Sequence, residues 1–169
     1  MGPSVRFVSG IAWNVTDNQL SWGQISETVH YWINNKLGGH AMKGETIVPN
    51  DRRAIYDVNK YSAAIRSGDL LFCSGHVGCH MDGTPEPDLA KQIDLAFQNL
   101  IGTLGEAGCT LDDIIDVTTF HTDPEAQFDT IMEVRDRYVK GPDYPNWTAV
   151  GVTWLNGFDF EMKVIARIK

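Results

Sequence analysis

Two cysteines and two histidines fall within eight consecutive residues, in the order CSGHVGCH, and such side chains could in principle bind a metal ion. They are Cys73, His76, Cys79 and His80. Zinc prefers thiolate and imidazole ligands, but on a strand residues 73 and 76 point to opposite faces. Residues 76 to 80 would also span about 13 Å at about 3.3 Å per residue. Because only a tight turn after Val77 could gather them, we expect ordinary packing here, with a solvent-facing histidine and no metal or other cofactor.

Histidine chemistry offers a second interpretation of this segment. His76 directly follows Ser74 and Gly75, and an imidazole titrates near neutral pH, so His76 is a candidate for acid–base chemistry or ligand binding. His121 shares a strand face with Val117 and Thr119, which favours a structural role for it.

Hydrophobic periodicity and turn residues predict the elements that must position these side chains. We expect strands over residues 45–48, 61–65, 69–77, 114–122, 147–154 and 160–168, and helices over residues 89–104 and from Pro124 onward. The second helix has a predicted buried stripe of Phe128, Ile131, Met132, Arg135 and Tyr138 or Val139. This order predicts an α+β fold, one mixed sheet with two helices packed on one face.

Two further features concern what surrounds this domain. The run 147–155 is nearly free of charge on both faces, so we expect both faces to be buried, with a partner subunit as the cover. Residues 1–41 precede the domain of residues 42–169 and are predicted to be an extension, with a short strand near residues 5–8 and an amphipathic helix over about 25–37.

Composition limits the class of protein. The sequence has 22 acidic and 14 basic residues, a formal net charge of −8, which argues against non-specific nucleic-acid binding. No apolar run approaches the roughly 20 residues of a membrane helix, and the first residues do not form a convincing secretion signal. The three cysteines are an odd, low number, and a reduced, cytoplasmic chain is therefore expected.

Four segments together resemble the RidA/YjgF family of enamine and imine deaminases. They are residues 61–75 (YSAAIRSGDLLFCSG), residues 92–115, residues 120–123 (FHTD) and residues 160–166 (FEMKVIA). The resemblance implies a chorismate-mutase-like α+β fold and a homotrimer with three ligand clefts between neighbouring subunits. It also implies hydrolysis of small reactive enamines or imines to ammonia and a keto acid. Some members carry an older label as endoribonucleases or translation inhibitors.

Several site residues follow from the resemblance. Tyr61 matches the cleft tyrosine of the family, Ser74 and Gly75 match a strand-end pair whose backbone faces the ligand, and Glu161 matches the glutamate that holds the attacking water. From the residues alone, Glu161 could instead form a cross-strand ion pair at a subunit boundary, and Tyr61 could simply pack on the sheet.

Three positions depart from the family pattern. Trp147 stands where the family has its substrate-anchoring arginine, Met132 aligns with an asparagine, and Ala149 aligns with a frequent cysteine. An arginine grips a carboxylate with two charge-assisted hydrogen bonds, and their loss would weaken a small 2-imino acid by one or two orders of magnitude, roughly. Trp147 therefore predicts a flat or apolar ligand, unless Arg52 or Arg53 supplies the missing charge, or Trp147 belongs to a subunit interface instead.

Three functions remain open from the sequence. The first is a divergent deaminase or hydrolase with Glu161 as catalytic residue and a ligand site of Tyr61, Ser74, Gly75, His76, Met132, Trp147 and Ala149. The second is a non-catalytic trimer that binds a small molecule. The third, an endoribonuclease, requires a basic groove and ranks last because each chain carries a net charge of −8.

Overall fold

The computed structural model describes residues 44–169 and, before them, the backbone of two short strands. The chain divides into two compact units, Met1–Met42 and Lys43–Lys169. In the first unit, strand β1 (Arg6–Val8) pairs antiparallel with β2 (Ile11–Trp13). The helix predicted over about residues 25–37 lies outside the described residues.

The second unit is built on a seven-stranded mixed sheet. Its strands are β3 (Glu45–Ile47), β4 (Ala64–Ser67), β5 (Leu70–Cys73), β6 (His76–Val77), β7 (Ile114–His121), β8 (Asn146–Gly151) and β9 (Phe160–Arg167). The order is β3-β4-β5-β9-β7-β8, with β6 also paired to β9. Only β7 and β8 run parallel, and the other pairs are antiparallel. The predicted mixed sheet is confirmed, and β9 lies in its centre.

Both predicted helices are present, as α2 (Leu89–Glu106) and α3 (Pro124–Tyr138). The Asp88 side chain accepts a hydrogen bond from the backbone N–H of Lys91 at the start of α2, and Asp123 does the same for Ala126 at the start of α3. These caps satisfy backbone donors that a helix leaves unpaired in its first turn.

A third helix, α1 (Arg53–Asn59), was not predicted, so the expectation of two helices is wrong by one. It follows a 3-10 turn at Asn50–Arg52 and buries only Tyr56, while Val58 is exposed. Because a single buried side chain in seven residues produces no amphipathic repeat, the hydrophobic pattern could not reveal this helix.

The core lies between one face of the sheet and helices α2 and α3. Alternate residues of β9 (Phe160, Met162, Val164 and Ala166) are buried against residues of both helices. Phe97 of α2 stacks on Tyr138 of α3 with ring centroids 4.4 Å apart. On the opposite face, within residues 44–169, Phe72 is 40 % exposed and Phe120 and Ile165 are half-buried.

Two details of burial differ from the predictions. Phe128 is exposed on α3, and Ile131 and Val134 are the apolar side chains that this helix buries. Strand β8 ends at Gly151, and its residues are exposed or half-buried, so the expected burial on both faces is not met within one chain. The reason is that β8 lies at the edge of the sheet, where β7 is its one neighbour among the described strands. Within the described part of the chain, no helix is long and apolar enough to cross a membrane.

Candidate active site

An irregularity in the sheet lies at Ser74 and Gly75. Phe72 pairs with Ile165 and His76 with Met162, so three residues of one chain segment face two of β9. Such a bulge re-aims side chains and is frequent beside active sites. The Ser74 hydroxyl donates a hydrogen bond to the Ser62 carbonyl at 2.6 Å, which fixes the bulge to the chain before β4.

The bulge brings Gly75 against the carboxylate of Glu161. A Cβ atom added to Gly75 would lie 1.9 Å from Glu161 Oε1, closer than any real contact. Glycine is therefore required for the Glu161 side chain to lie where it does. Glu161 also lies opposite Val77 of β6, as the second residue of the central strand β9.

Burial and neighbouring charge shape the chemistry of Glu161. Partial burial raises the pKa of the Glu161 carboxyl, and the positive charge of Lys163 offsets part of that rise. No Lys, Arg or His nitrogen within residues 44–169 lies within 4.0 Å of this carboxylate in an ion pair. Within residues 44–169 Glu161 therefore has no cross-strand ion pair, while the pair considered for it at a subunit boundary stays a prediction. A raised pKa is common among functional carboxyls.

Tyr61 lies beside this carboxylate. Burial raises the pKa of the Tyr61 phenol, and the nearby Cys79 and Glu161 raise it further. Its ring contacts Tyr56 edge-on at 4.9 Å between centroids, and its side chain is 46 % exposed. Tyr61 therefore stays protonated at neutral pH and presents a hydroxyl donor to solvent near Glu161.

Tyr61 and Gly75 line a cavity that we name the Tyr61 pocket, and Glu161 adjoins it through its contact with Gly75. The pocket has a volume of ≈ 310 Å³ and is lined by Arg52, Ile55, Tyr56, Tyr61, Gly75, His76, Val77, Cys79 and Asn99. The Arg52 guanidinium bonds to the Cys79 carbonyl at 3.3 and 3.4 Å and to its sulfur at 3.4 Å. Arg52 thus holds the loop at Cys79, and its donors are largely used there. Arg53, the other arginine considered as an anchor, is the first residue of α1.

His76 is buried and fully hydrogen-bonded. Its Nδ1 lies 2.8 Å from the Ser74 carbonyl and its Nε2 lies 2.8 Å from Thr103 Oγ1 on α2. Desolvation lowers its pKa to about 4, and the charge of Arg52 lowers it as well, against the Ser74 hydrogen bond. His76 is uncharged at neutral pH and supports the bulge, so the acid–base role considered for it is not carried forward. The solvent-facing histidine of this segment is His80, which pairs with Glu86 at 3.3 Å.

His121 is buried on the helix side of the sheet, as expected of a structural residue. Its Nε2 lies 2.8 Å from Thr119 Oγ1, and burial lowers its pKa. The described residues contain no group of three or more His, Cys, Asp or Glu side chains arranged to hold a metal ion.

Trp147 lies in a second region, the Trp147 cleft, whose lining includes neither Met132 nor Ala149. It is an open cavity of ≈ 750 Å³ between α2, α3 and the sheet, lined by Trp147 together with Arg135 and Thr119. Trp147 Nε1 donates to Thr119 Oγ1 at 2.8 Å, and the Arg135 guanidinium lies 4.6 Å from the centre of the Trp147 ring. Arg135 also contacts the Met132 sulfur at 3.7 Å. Ala149, two residues along β8 from Trp147, is on the same strand face and exposed.

The predicted site residues thus form two groups within one chain. Trp147 pairs with Val117 and bonds Thr119, so it faces the helices. Glu161 lies between the buried Phe160 and Met162 in β9, so it faces away from them. Gly75 contacts Glu161, Ser74 is its neighbour in the chain, and Tyr61 lines the same pocket as Gly75. Trp147 and Ala149 share a face of β8, and Met132 is linked to Trp147 only through Arg135. Glu161 and Trp147 lie on opposite faces of the sheet.

One residue of the second group was not recognised from the sequence as a site residue. Arg135 was placed on the inward stripe of α3, yet its contact with Trp147 joins a helix to an edge strand. In the sequence, the only sign of a special role for Arg135 was that this positively charged residue interrupts the apolar face of α3.

Comparisons with known proteins agree with this fold and with the sequence motifs. Residues 51–168 match the sequence profile of the family described as Endoribonuclease L-PSP. The chain is 66 % identical over 122 residues to the RutC family protein YjgH of Escherichia coli K12, a match that covers 72 % of this chain and 93 % of that protein.

Solved structures show the same likeness. One described as protein YJGH has a TM-score of 0.73 and 63 % identity, covering 75 % of this chain and 98 % of its own. Another, of E. coli TdcF with bound serine, has a TM-score of 0.58 and 29 % identity, covering 64 % of this chain and 88 % of its own. The chain belongs to the Endoribonuclease L-PSP family, the RidA/YjgF family that its motifs resemble.

Proposed function

We propose that this protein hydrolyses small, reactive imines or enamines to a carbonyl compound and ammonia. The observation that carries the proposal is Glu161, whose carboxylate lies against Gly75, beside the Tyr61 phenol, with a raised pKa and no ion-pair partner in the described chain. A carboxyl with a pKa moved toward the neutral range is suited both to accept and to return a proton.

The chemistry requires one base that also acts as an acid. As a water oxygen bonds to the imine carbon, Glu161 accepts a proton from that water, the C=N π electrons move to nitrogen, and the nitrogen takes the proton from Glu161. Glu161 then accepts the hydroxyl proton of the resulting carbinolamine and delivers it to the amine nitrogen, so the C–N bond breaks, ammonia leaves and the C=O bond forms. Tyr61 and the backbone at Gly75 are placed to orient the water and the substrate.

The second part of the proposal is a homotrimer whose ligand crevice lies between neighbouring subunits. The separation of the two groups of site residues supports it, because a face carrying Glu161 in one copy can meet the Trp147 cleft of the next. The open sheet face also carries apolar side chains that need cover, including Phe72 at 40 % exposed and the half-buried Phe120 and Ile165. Three copies would close such contacts by cyclic symmetry.

A relative supports the size of ligand. The structure of E. coli TdcF, which resembles this chain, contains bound serine, so a crevice of this fold accommodates a molecule of amino-acid size. We infer that the substrate of this protein is similarly small.

Ammonia release from 2-iminopropanoate tests the proposal. The wild type should exceed the spontaneous rate, and Glu161→Gln should lower kcat by about 10²–10⁴-fold because the base is lost while the shape is kept. Glu133→Gln is the matched control, since Glu133 is an exposed carboxylate on α3 that pairs with Arg137.

A wild-type rate no greater than the spontaneous one, across this imine and neutral or aromatic imines, would refute the hydrolase. Ligand binding without turnover would then identify the protein as a non-catalytic small-molecule binder.

A further inference from the structure

Arg135 restores a positive charge at the position where the sequence shows tryptophan. Its guanidinium carbon lies 4.6 Å from the centre of the Trp147 ring, within the range of a cation–π contact. The indole itself is fixed, since its Nε1 donates to Thr119 Oγ1 at 2.8 Å and Val117 is its neighbour on β7. A rigid aromatic plane therefore holds the guanidinium at the cleft.

The hydrogen-bonding groups of Arg135 are nearly all unused. Its one side-chain hydrogen-bond partner in the described chain is the Met132 sulfur, a weak acceptor, at 3.7 Å. No carboxylate in residues 44–169 forms an ion pair with it. Arg137, two residues along the same helix, instead bonds Glu133 at 2.7 Å. A guanidinium has five N–H donors, so Arg135 offers a free pair to an incoming ligand.

The walls of the Trp147 cleft are mixed in character. Apolar side chains such as Ile131 and Val139 line it, with Lys140 as a second cation and Asp112 and Asp143 as acids. None of these acids neutralises Arg135 by an ion pair. The cleft thus combines an apolar surface with one stacked, unpaired guanidinium.

We propose that Arg135, held on the Trp147 ring, is the carboxylate-binding group of this protein, and that its ligands are flat carboxylates in which the acid is conjugated to an unsaturated group. A carboxylate that takes two parallel N–H bonds lies in the plane of the guanidinium. A conjugated ligand continues in that plane, where the apolar wall of the cleft can cover it. The inference deepens the proposed function and rests on it for the reaction, but the binding of the carboxylate does not depend on catalysis.

The sequence-based expectation of a flat or apolar ligand becomes, with this proposal, that of a flat and charged one. Trp147 alone predicts that charge is lost from the site, whereas the structure shows that a residue of α3 supplies the charge and Trp147 supports it. Arg135 is therefore a specificity-determining residue, and the residue type at position 147 alone would not reveal its role.

Binding of benzoate and of its neutral isostere benzamide, measured by isothermal titration, tests this inference. The wild type should bind benzoate more tightly than benzamide. Arg135→Gln should weaken benzoate at least about tenfold, because two charge-assisted bonds are lost, and leave benzamide within about twofold. Arg135→Lys should keep part of the benzoate preference, since it retains the charge without the paired donors.

Arg137→Gln is the matched control and should bind both probes as the wild type does, because Arg137 already pairs with Glu133. Equal binding of the two probes to the wild type, or a benzoate affinity that Arg135→Gln leaves unchanged, would overturn the inference. If Arg135→Gln does not fold, the folded Arg135→Lys variant tests the inference instead. Benzoate binding to Arg135→Lys that equals that of the wild type would contradict the proposed pair of N–H bonds. Failure of the proposed reaction is seen separately, as no ammonia release alongside benzoate binding that still depends on Arg135.

Discussion

The Tyr61 pocket and the Trp147 cleft differ in how they are built. In the pocket, backbone geometry does most of the positioning, since the bulge at Gly75 leaves room for Glu161 and the buried His76 supports the same turn. In the cleft, side chains from separate elements position one another, with Thr119 fixing Trp147 and Trp147 carrying Arg135. Positioning by the backbone, as at Gly75, suits a proton-transfer group that must not move. Positioning by side chains, as in the Trp147 cleft, suits ligand recognition, because surface substitutions can change which ligand is bound.

This difference predicts that the two regions fail in different ways when mutated. Changes at the pocket should remove turnover, and changes at the cleft should weaken binding. Both effects should appear without loss of the fold, because neither Glu161 nor Trp147 is fully buried.

After Glu161→Gln, the largest effect on activity is expected from Gly75→Ala. The new Cβ would occupy the position of the Glu161 carboxylate, and that flexible side chain must swing away. Displacing the base by about an ångström or more should lower kcat about 100-fold with little change in the thermal midpoint. Gly102→Ala on α2 is the control, because nothing lies within 4 Å of its added Cβ. Full activity in Gly75→Ala would show that Glu161 is not the base.

A smaller effect is expected from Trp147→Phe. This change removes the hydrogen bond to Thr119 and part of the aromatic surface beneath Arg135. Losing one neutral bond and part of a cation–π contact should raise KM about fivefold and leave kcat within about twofold. Steady-state kinetics separates the two parameters, and Trp154→Phe, at a side chain 72 % exposed, should change neither. A fall in kcat alone would place Trp147 with the chemistry instead.

A third prediction concerns the dependence of stability on pH, with no effect on activity at neutral pH. The pKa of His76 is about 4 in the folded chain against an ordinary value of 6.5, so the folded state resists protonation that the unfolded state accepts. Stability present above pH 6.5 should therefore decline as pH falls toward 4, by at most on the order of 3 kcal/mol. Thermal melts from pH 7 to pH 4 measure this decline in stability. His76→Gln should lose less stability over the same pH range. If the wild type and His76→Gln lose the same stability as pH falls, another group causes the loss of stability at acid pH.

Most of the sheet and two of its helices could be predicted from the sequence because they are amphipathic and clearly capped. Asp88 and Asp123 mark helix starts, and the alternation from Phe160 to Ala166 marks the central strand. Helix α1 and the pairing of β8 with β7 could not be predicted, since the first buries one side chain and the second depends on chain topology.

The candidate site divides in the same manner. Glu161 and Gly75 could be named because they lie within recognisable strings, but their contact needed the bulge to be seen. Arg135 could not be assigned, because a helix residue and a strand residue that meet through packing leave no spacing pattern in the chain.

Activity in mixed trimers tests the central claim most directly, namely that Glu161 of one copy works opposite the Trp147 cleft of another. Glu161→Gln removes the base, and Ala149→Trp fills the exposed surface beside Trp147, so each variant alone should be inactive. When the two are co-expressed at equal levels, about a quarter of the crevices would combine an intact Glu161 with an intact cleft, and activity should recover to about that fraction of the wild type. Confirmed trimers that show no recovery would place the whole site within a single chain and contradict the account.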